Sequence, residues 1–146
     1  MRSANEIAGM VLKAARGAGM SLGCAEELSR AAPNLIAADA LGQVPDLLEL
    51  PFVAPKFEDG AVTGGHPVQA LIAWRDFKDA GQDVTLGCSV SPELKAAMTK
   101  LGSPVGPFDV DADLWAALQG YANRILVPET EASRLGGAGA GLTDND

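Results

Sequence analysis

A chain of 146 residues is long enough to bury most of its apolar surface in one core, and its 47% hydrophobic and 21% charged residues are typical of a globular protein. Nineteen acidic residues against eleven basic ones give a formal net charge of -8, which repels nucleic acid backbones and anionic lipid surfaces. We therefore expect one domain over residues 1–146, with no nucleic acid partner and no membrane association.

The first twenty residues do not have the pattern expected of a targeting segment, and the sequence has few cysteines. Charged side chains at Glu6, Lys13 and Arg16 interrupt the first apolar stretch, which therefore lacks the hydrophobic region of a signal peptide. No run approaches the ~20 apolar residues of a membrane span. Two cysteines, Cys24 and Cys88, are too few for a disulfide scaffold in a chain of this length. We expect a cytoplasmic protein with both thiols reduced.

The first helix is predicted from a capping box. Ser3 and Glu6 have the spacing at which each side chain satisfies a free backbone N–H at a helix start. One apolar face follows at helical spacing, formed by Ile7, Met10, Val11 and Ala14. Gly17 is expected to end this helix.

A second helix is predicted to begin at Ser21. Pro33 lies inside its apolar pattern, and proline removes a backbone donor and clashes with the preceding turn. We therefore expect a kinked or divided helix, with pieces at about residues 23–32 and 34–41. Residues 45–50 provide at most two further turns.

The pattern then changes to that of a sheet. Aromatic and β-branched residues flank Asp59-Gly60 within residues 51–63, and Asp-Gly readily supplies the positive φ angles of a tight turn. This segment predicts a hairpin. Pro51 and Pro55 place its first strand at an edge, because proline cannot donate to a central ladder.

The second half alternates between helices and one strand. Residues 67–80 have the apolar spacing of a core helix, whereas residues 84–90 alternate in hydrophobicity and form the best strand pattern in the chain. Ser91 followed by a proline and an acid predicts a helix that ends at about Leu101.

A last long helix is predicted to begin at Asp109 or Asp111. Its interior Gly120 costs ~1 kcal/mol relative to alanine, which suggests a close contact with another helix. The order of elements contains too few regularly spaced strands for a doubly wound sheet. We therefore predict an α+β fold with a small antiparallel or mixed sheet of about three strands, covered by helices.

Most motifs of known chemistry are absent from the sequence. A single histidine, His66, excludes a multi-histidine metal site, and the sequence contains no C-x-x-C pair, no G-x-S-x-G and no P-loop. We expect no metal and no cofactor. His66 directly precedes a predicted helix, so a capping role is favoured over a role as general base.

The loop after the first helix is one candidate ligand site. Arg16, Gly17 and Gly19 are followed by a helix start, where free backbone N–H groups and the helix dipole favour an anion. A simple helix end and turn has the same composition, and by composition alone it is favoured.

The end of the chain is the second candidate ligand site. Ser133 and Arg134 precede a glycine-rich tail over residues 136–146, in which Gly137 and Gly139 belong to a run of four glycines in six positions. Glycine N–H groups beside an arginine predict an anion cradle, although a frayed terminus has this composition too.

Acidic residues frame this second site. Glu129 and Glu131 are candidates for an acid or base, but the sequence does not decide whether the protein is an enzyme. Asp144 and Asp146 offer oxygen ligands of the type that Mg²⁺ or Ca²⁺ prefers, on weak evidence.

Both ends of the chain resemble a known family. Residues 3–27 (S-A-N-E-I-A-G-M-V-L-K-A-A-R-G-A-G-M-S-L-G-C-A-E-E) and 127–146 (V-P-E-T-E-A-S-R-L-G-G-A-G-A-G-L-T-D-N-D) are similar to the two ends of an uncharacterised proteobacterial family, a domain of unknown function. The resemblance brings no activity, but it implies that both segments are patterned, which favours a functional tail. Residues 24–42 are more faintly similar to the first helices of the malate/lactate dehydrogenase type 2 family, whose catalytic histidine region is missing.

Two functions follow as expectations. In the first, the protein binds or transforms a small anionic metabolite, with Arg16 and Arg134 as counter-charges and the glycine loops as backbone donors. In the second, it is a non-catalytic interaction or regulatory subunit. That subunit is expected to be a homodimer that uses its C-terminal tail as a packing arm.

Overall fold

The structure, a computed structural model, describes residues 1–100 and 102–126. Within them lie six α-helices and three strands: α1 (Ala4–Ala18), α2 (Leu22–Ala37), α3 (Gln43–Glu49), β1 (Lys56–Glu58), β2 (Ala61–Thr63), α4 (Pro67–Asp79), β3 (Thr85–Leu86), α5 (Pro92–Thr99) and α6 (Ala112–Ala122). A 3-10 turn, Asn123–Leu126, follows α6. The fold is α+β with a small sheet, as predicted. The expectation of one domain over residues 1–146 extends beyond the described residues and stays a prediction.

The sheet is mixed and has the order β1-β2-β3. β1 and β2 form the predicted antiparallel hairpin, and Asp59 and Gly60 supply the turn with φ angles of 51° and 73°. β3 lies parallel to β2 on the other side, where Val62 pairs with Leu86. β1 is therefore at the edge, as its flanking prolines predicted.

β3 is shorter than predicted. The alternating pattern covered residues 84–90, but only Thr85 and Leu86 pair with β2. β2 itself has three residues, so no backbone partner is in place for a longer strand. The alternation instead reflects packing, since Val84 is buried and Leu86 and Cys88 lie partly buried beside it.

The capping box of α1 is confirmed, with both reciprocal bonds between Ser3 and Glu6 present. The predicted end at Gly17 is wrong, because α1 continues to Ala18 and is terminated by Gly19 at a φ of 104°. The N–H of Gly19 donates to the Arg16 carbonyl at 3.0 Å and that of Met20 to the Ala15 carbonyl at 3.0 Å. A left-handed residue after the last turn is the usual helix end, and glycine adopts it without strain.

Gly17 has a different role, in helix packing. A Cβ atom on Gly17 would lie 1.8 Å from the backbone oxygen of Tyr121 in α6, so only glycine allows this approach. The predicted close contact at Gly120 is wrong, because a Cβ there would meet nothing within 4 Å. The glycine that permits the close α1–α6 contact is thus Gly17 on α1 and not Gly120 on α6.

Pro33 does not divide α2, which runs unbroken from Leu22 to Ala37. The proline lies in the second half of the helix and forfeits one backbone donor there. Its neighbours Ala32 and Leu35 are fully buried, so tertiary packing holds the turn despite that loss. The Ser29 hydroxyl further ties α2 to α1 by donating to the Ala8 carbonyl at 2.8 Å.

The main core lies among the helices. Its largest fully buried side chains come from α1, α2, α3, α4, α5 and α6, and include Ile7, Leu28, Leu35, Val44, Leu71, Leu94 and Leu118. A second, smaller cluster of Val62, Ala70 and Val84 joins the sheet to α4. No helix in the described part of the chain is long and apolar enough to cross a membrane.

Candidate functional site

Trp74 on α4 is the centre of the candidate site. It is partly buried and packs against both hydrophobic clusters, so the core fixes its position. The Nζ atom of Lys78, four residues later on the same helix, lies 5.2 Å from the centroid of the indole ring. The Nζ atom of Lys95 on α5 lies 4.7 Å from it. One indole therefore attracts two ammonium groups from different helices.

A shallow groove opens beside this ring, with a volume of about 360 Å³. Its lining is Trp74, Arg75, Lys78, Asp79 and Thr99, from α4 and the end of α5. We call it the tryptophan groove. Its lining comprises one aromatic ring, the two cations Arg75 and Lys78, and a single carboxylate, that of Asp79. Lys95 lies beside the same ring but is not part of this lining.

The charge of Arg75 is already compensated. Its guanidinium pairs with the Glu27 carboxylate of α2, and it contacts the Asp76 carboxylate at 3.5 Å and the Met98 carbonyl at 3.5 Å. The Arg75 and Glu27 side chains are 27% and 17% exposed, so this ion pair is largely shielded from water. Hydrogen bonding by Arg75 lowers the pKa of Glu27, and Arg30 adds a second contact at 2.8 Å. Arg75 thus joins α4 to α2 and α5 as a structural cation.

The two lysines differ from Arg75 in this respect. Neither Lys78 nor Lys95 forms an ion pair with any residue that the structure describes. Both side chains are exposed, and each ammonium group lies at cation–π distance from the indole. Each ammonium group supplies hydrogen-bond donors of the kind that bind a carboxylate or a phosphate.

His66 is buried and caps α4. Its Nδ1 atom accepts a hydrogen bond from the Val68 N–H at 3.1 Å, and Nε2–H donates to the Leu47 carbonyl at 2.7 Å. The Phe52 ring lies 5.0 Å away, centroid to centroid. Burial lowers the pKa of the imidazole, which favours its neutral form. Both ring nitrogens are engaged within the protein, as expected of a structural cap.

The loop after α1 is internally bonded. The Arg16 guanidinium donates to the Met20 carbonyl at 3.0 Å, and the Gly19 N–H is used in the helix end. Gly17 faces the Tyr121 backbone instead of solvent. The Cys24 N–H at the start of α2 donates to the Ser21 hydroxyl at 3.5 Å. Arg16 and the Gly19 N–H thus have partners within the protein, and the anion hypothesis for this loop stays a prediction.

The second predicted ligand site lies outside the described residues. This applies to Glu129, Glu131, Ser133, Arg134, Gly137, Gly139, Asp144 and Asp146. The pairing of Arg16 with Arg134 around one anion accordingly stays a prediction. In the described residues, no three His, Cys, Asp or Glu side chains are grouped as metal ligands.

The tryptophan groove was not predicted from the sequence. The spacing of Trp74 and Lys78, one turn apart on a helix, was a readable signal for a cation over an aromatic ring. Lys95 had no such signal, since it joins them only through the packing of α5 on α4.

Comparison with known proteins bears on the opening of the chain. Residues 2–47 match the model of a family described as "Protein of unknown function (DUF3726)", which confirms the resemblance stated for the opening. The match covers α1, α2 and most of α3. No curated protein and no solved structure matches the chain. The tryptophan groove and residues 127–146 lie outside the matched segment.

Proposed function

We propose that this protein binds a small molecule carrying a carboxylate or phosphate, and that the anion is held by Lys78 of the tryptophan groove together with Lys95 at the same indole ring. The observation that carries the proposal is that two lysine ammonium groups, neither ion-paired with a described residue, lie at one indole ring. In a protein of net charge -8, this indole ring brings two positive charges close to one groove.

The energetics favour an anion between the lysines. A cation–π contact at an exposed position contributes about 0.5 to 1 kcal/mol, and the mutual repulsion of two ammonium groups opposes it. A bound anion adds an attraction to each lysine, which offsets this repulsion. The anion thus supplies the negative charge that Lys78 and Lys95 lack among their described neighbours.

The groove also sets limits on the ligand. Trp74 supplies an apolar wall against which a carbon skeleton can pack. The Asp79 carboxylate at the edge repels a second anionic group and accepts a hydrogen bond from a ligand hydroxyl or amine. We therefore propose a partly apolar metabolite with one anionic group, a carboxylate or a phosphate, and a binding role.

A thermal-shift screen of carboxylate and phosphate metabolites tests this function. At a free concentration of ~100 times Kd, a ligand specific for the folded state adds about 2.7 kcal/mol of stability. We expect Lys95→Gln to abolish that gain, and Lys56→Gln, which removes an exposed lysine on β1, to retain it. Equal gains in both variants would contradict the proposed site.

The alternative function is an interaction or regulatory subunit, and a homodimer with residues 127–146 as a packing arm remains one proposal for it. An apolar groove at the α1–α6 contact, open beside the end of the described chain, favours a packing role for this segment. We also propose a cytoplasmic location, since Cys24 and Cys88 are both free thiols.

A further inference from the structure

A second groove lies between α1 and α6. Its volume is about 390 Å³, and its lining is Met10, Lys13, Gln119, Ala122, Asn123 and Ile125. Ile125 is 53% exposed, which leaves a β-branched apolar side chain in solvent at the rim. We call this the α1–α6 groove.

The path of the chain leads directly out of this groove. The 3-10 turn Asn123–Leu126 forms one of its walls, and residues 127–146 continue from there. Each extended residue spans at most about 3.6 Å, so fewer than ten residues suffice to return along a groove between two short helices. The segment is therefore tethered at the groove and present there at high effective concentration.

The composition of this segment complements the groove. Val127 and Leu135 provide apolar side chains for an apolar lining that includes Met10 and Ile125. Residues 127–146 carry four acidic groups against one arginine. The cation of the groove is Lys13, which forms no ion pair with any described residue.

We propose that residues 127–135 of the same chain fold back into the α1–α6 groove. Leu135 covers Ile125 and Met10, and Glu129 and Glu131 lie towards Lys13. The groove is thus a docking surface for the protein's own C-terminal segment. This role is separate from ligand binding in the tryptophan groove.

A double-mutant cycle in the full-length chain tests this inference. Ile125→Glu and Leu135→Asp each place a charge on one side of the proposed contact, so each should lower the melting midpoint by several degrees. The melting midpoint of the double variant should be no lower than that of the less stable single variant, because the contact can be lost only once. Additive losses, or an unchanged midpoint in Leu135→Asp, would overturn the docking.

Charge reversal provides an independent test of the docking. Lys13→Glu should lower the midpoint, and Glu129→Lys with Glu131→Lys should restore part of it in the same chain. Lys56→Glu, the control on β1, should not respond to the reversed tail. If Glu129→Lys with Glu131→Lys raised the melting midpoints of Lys13→Glu and Lys56→Glu equally, the proposed position of Glu129 and Glu131 would be contradicted.

Sedimentation separates this arrangement from an arm exchanged between two copies. We expect a monomer for the full-length chain and for Leu135→Asp. A dimer that dissociates in Leu135→Asp would show that the segment docks on a neighbouring copy, which would overturn the same-chain assignment.

Discussion

Gly17 of α1 and Tyr121 of α6 meet backbone to backbone, with no room for a Cβ atom between them. The position such an atom would take on Gly17 lies 1.8 Å from the Tyr121 oxygen and 2.8 Å from its carbonyl carbon. The Tyr121 hydroxyl in turn donates to the Glu49 carboxylate of α3, so one residue holds α6 against two helices. This relationship sets how closely α6 packs on the core.

Gly17→Ala should therefore destabilise the protein by at least about 2 kcal/mol, because α6 must move to admit the methyl group. Gly120→Ala is the matched control. It should stabilise by up to ~1 kcal/mol, since Gly120 is exposed, helical and free of neighbours. Urea denaturation of both variants measures the difference, and a Gly17→Ala midpoint equal to that of the wild type would contradict the packing.

The Glu27–Arg75 ion pair predicts acid sensitivity. The pKa of Glu27 in the folded protein lies below its ordinary value, so its stabilising contribution is complete at neutral pH. That contribution is lost as the pH falls below about 4 and through the folded pKa. Glu27→Gln should flatten the fall of stability in this range, as followed by urea midpoints from pH 6 to 3.

Arg75 and Arg30 provide a matched pair of substitutions on the same carboxylate. Arg75→Met should cost about 1 to 3 kcal/mol, because it leaves the shielded Glu27 carboxylate without its main partner. Arg30→Met should cost less than about 1 kcal/mol, since Arg30 is 67% exposed. Similar costs for the two variants would show that Arg75 does not join the helices as described.

His66 predicts a second pH dependence, nearer neutrality. Its pKa is lowered by burial, so in acid the unfolded chain takes up a proton that the folded imidazole does not. Stability should therefore fall as the pH drops from about 7 through the ordinary histidine range. Asn at this position can still cap α4, so His66→Asn should remove that slope while the helix is kept. An unchanged slope would contradict a buried neutral imidazole.

The two thiols predict no gain from oxidation. Cys24 packs at the edge of the main core and Cys88 beside the smaller cluster of Val62, Ala70 and Val84. Burial raises the pKa of Cys88, which disfavours its reactive thiolate. Mild oxidation should leave the melting temperature unchanged. A rise that dithiothreitol reverses would indicate a stabilising Cys24–Cys88 bridge.

Features set by local chemistry were predictable from the sequence. The capping box of Ser3 and Glu6, the Asp59-Gly60 turn and the caps at Ser21 and Ser91 depend on a few adjacent residues, and all are present. The α+β fold class was predicted from the order of the helices and strands that these caps and turns delimit.

Features set by tertiary packing were not predictable in the same way. Pro33 and Gly17 were both expected to interrupt helices, yet buried neighbours hold the first in α2 and a facing helix explains the second. The length of β3 depended on how many residues β2 offers. Lys95 reaches Trp74 only through the α4–α5 contact, so residue spacing could not predict its place in the candidate site.

Tryptophan fluorescence tests the central claim most directly. The chain has two tryptophans, so Trp115→Phe leaves Trp74 as the sole reporter, at the proposed site itself. A carboxylate or phosphate metabolite identified by the screen should change its emission with saturation. The change should disappear in Lys95→Gln and persist in Lys56→Gln. Saturable binding that is indifferent to Lys95, or that leaves Trp74 emission unchanged, would contradict an anion site in the tryptophan groove.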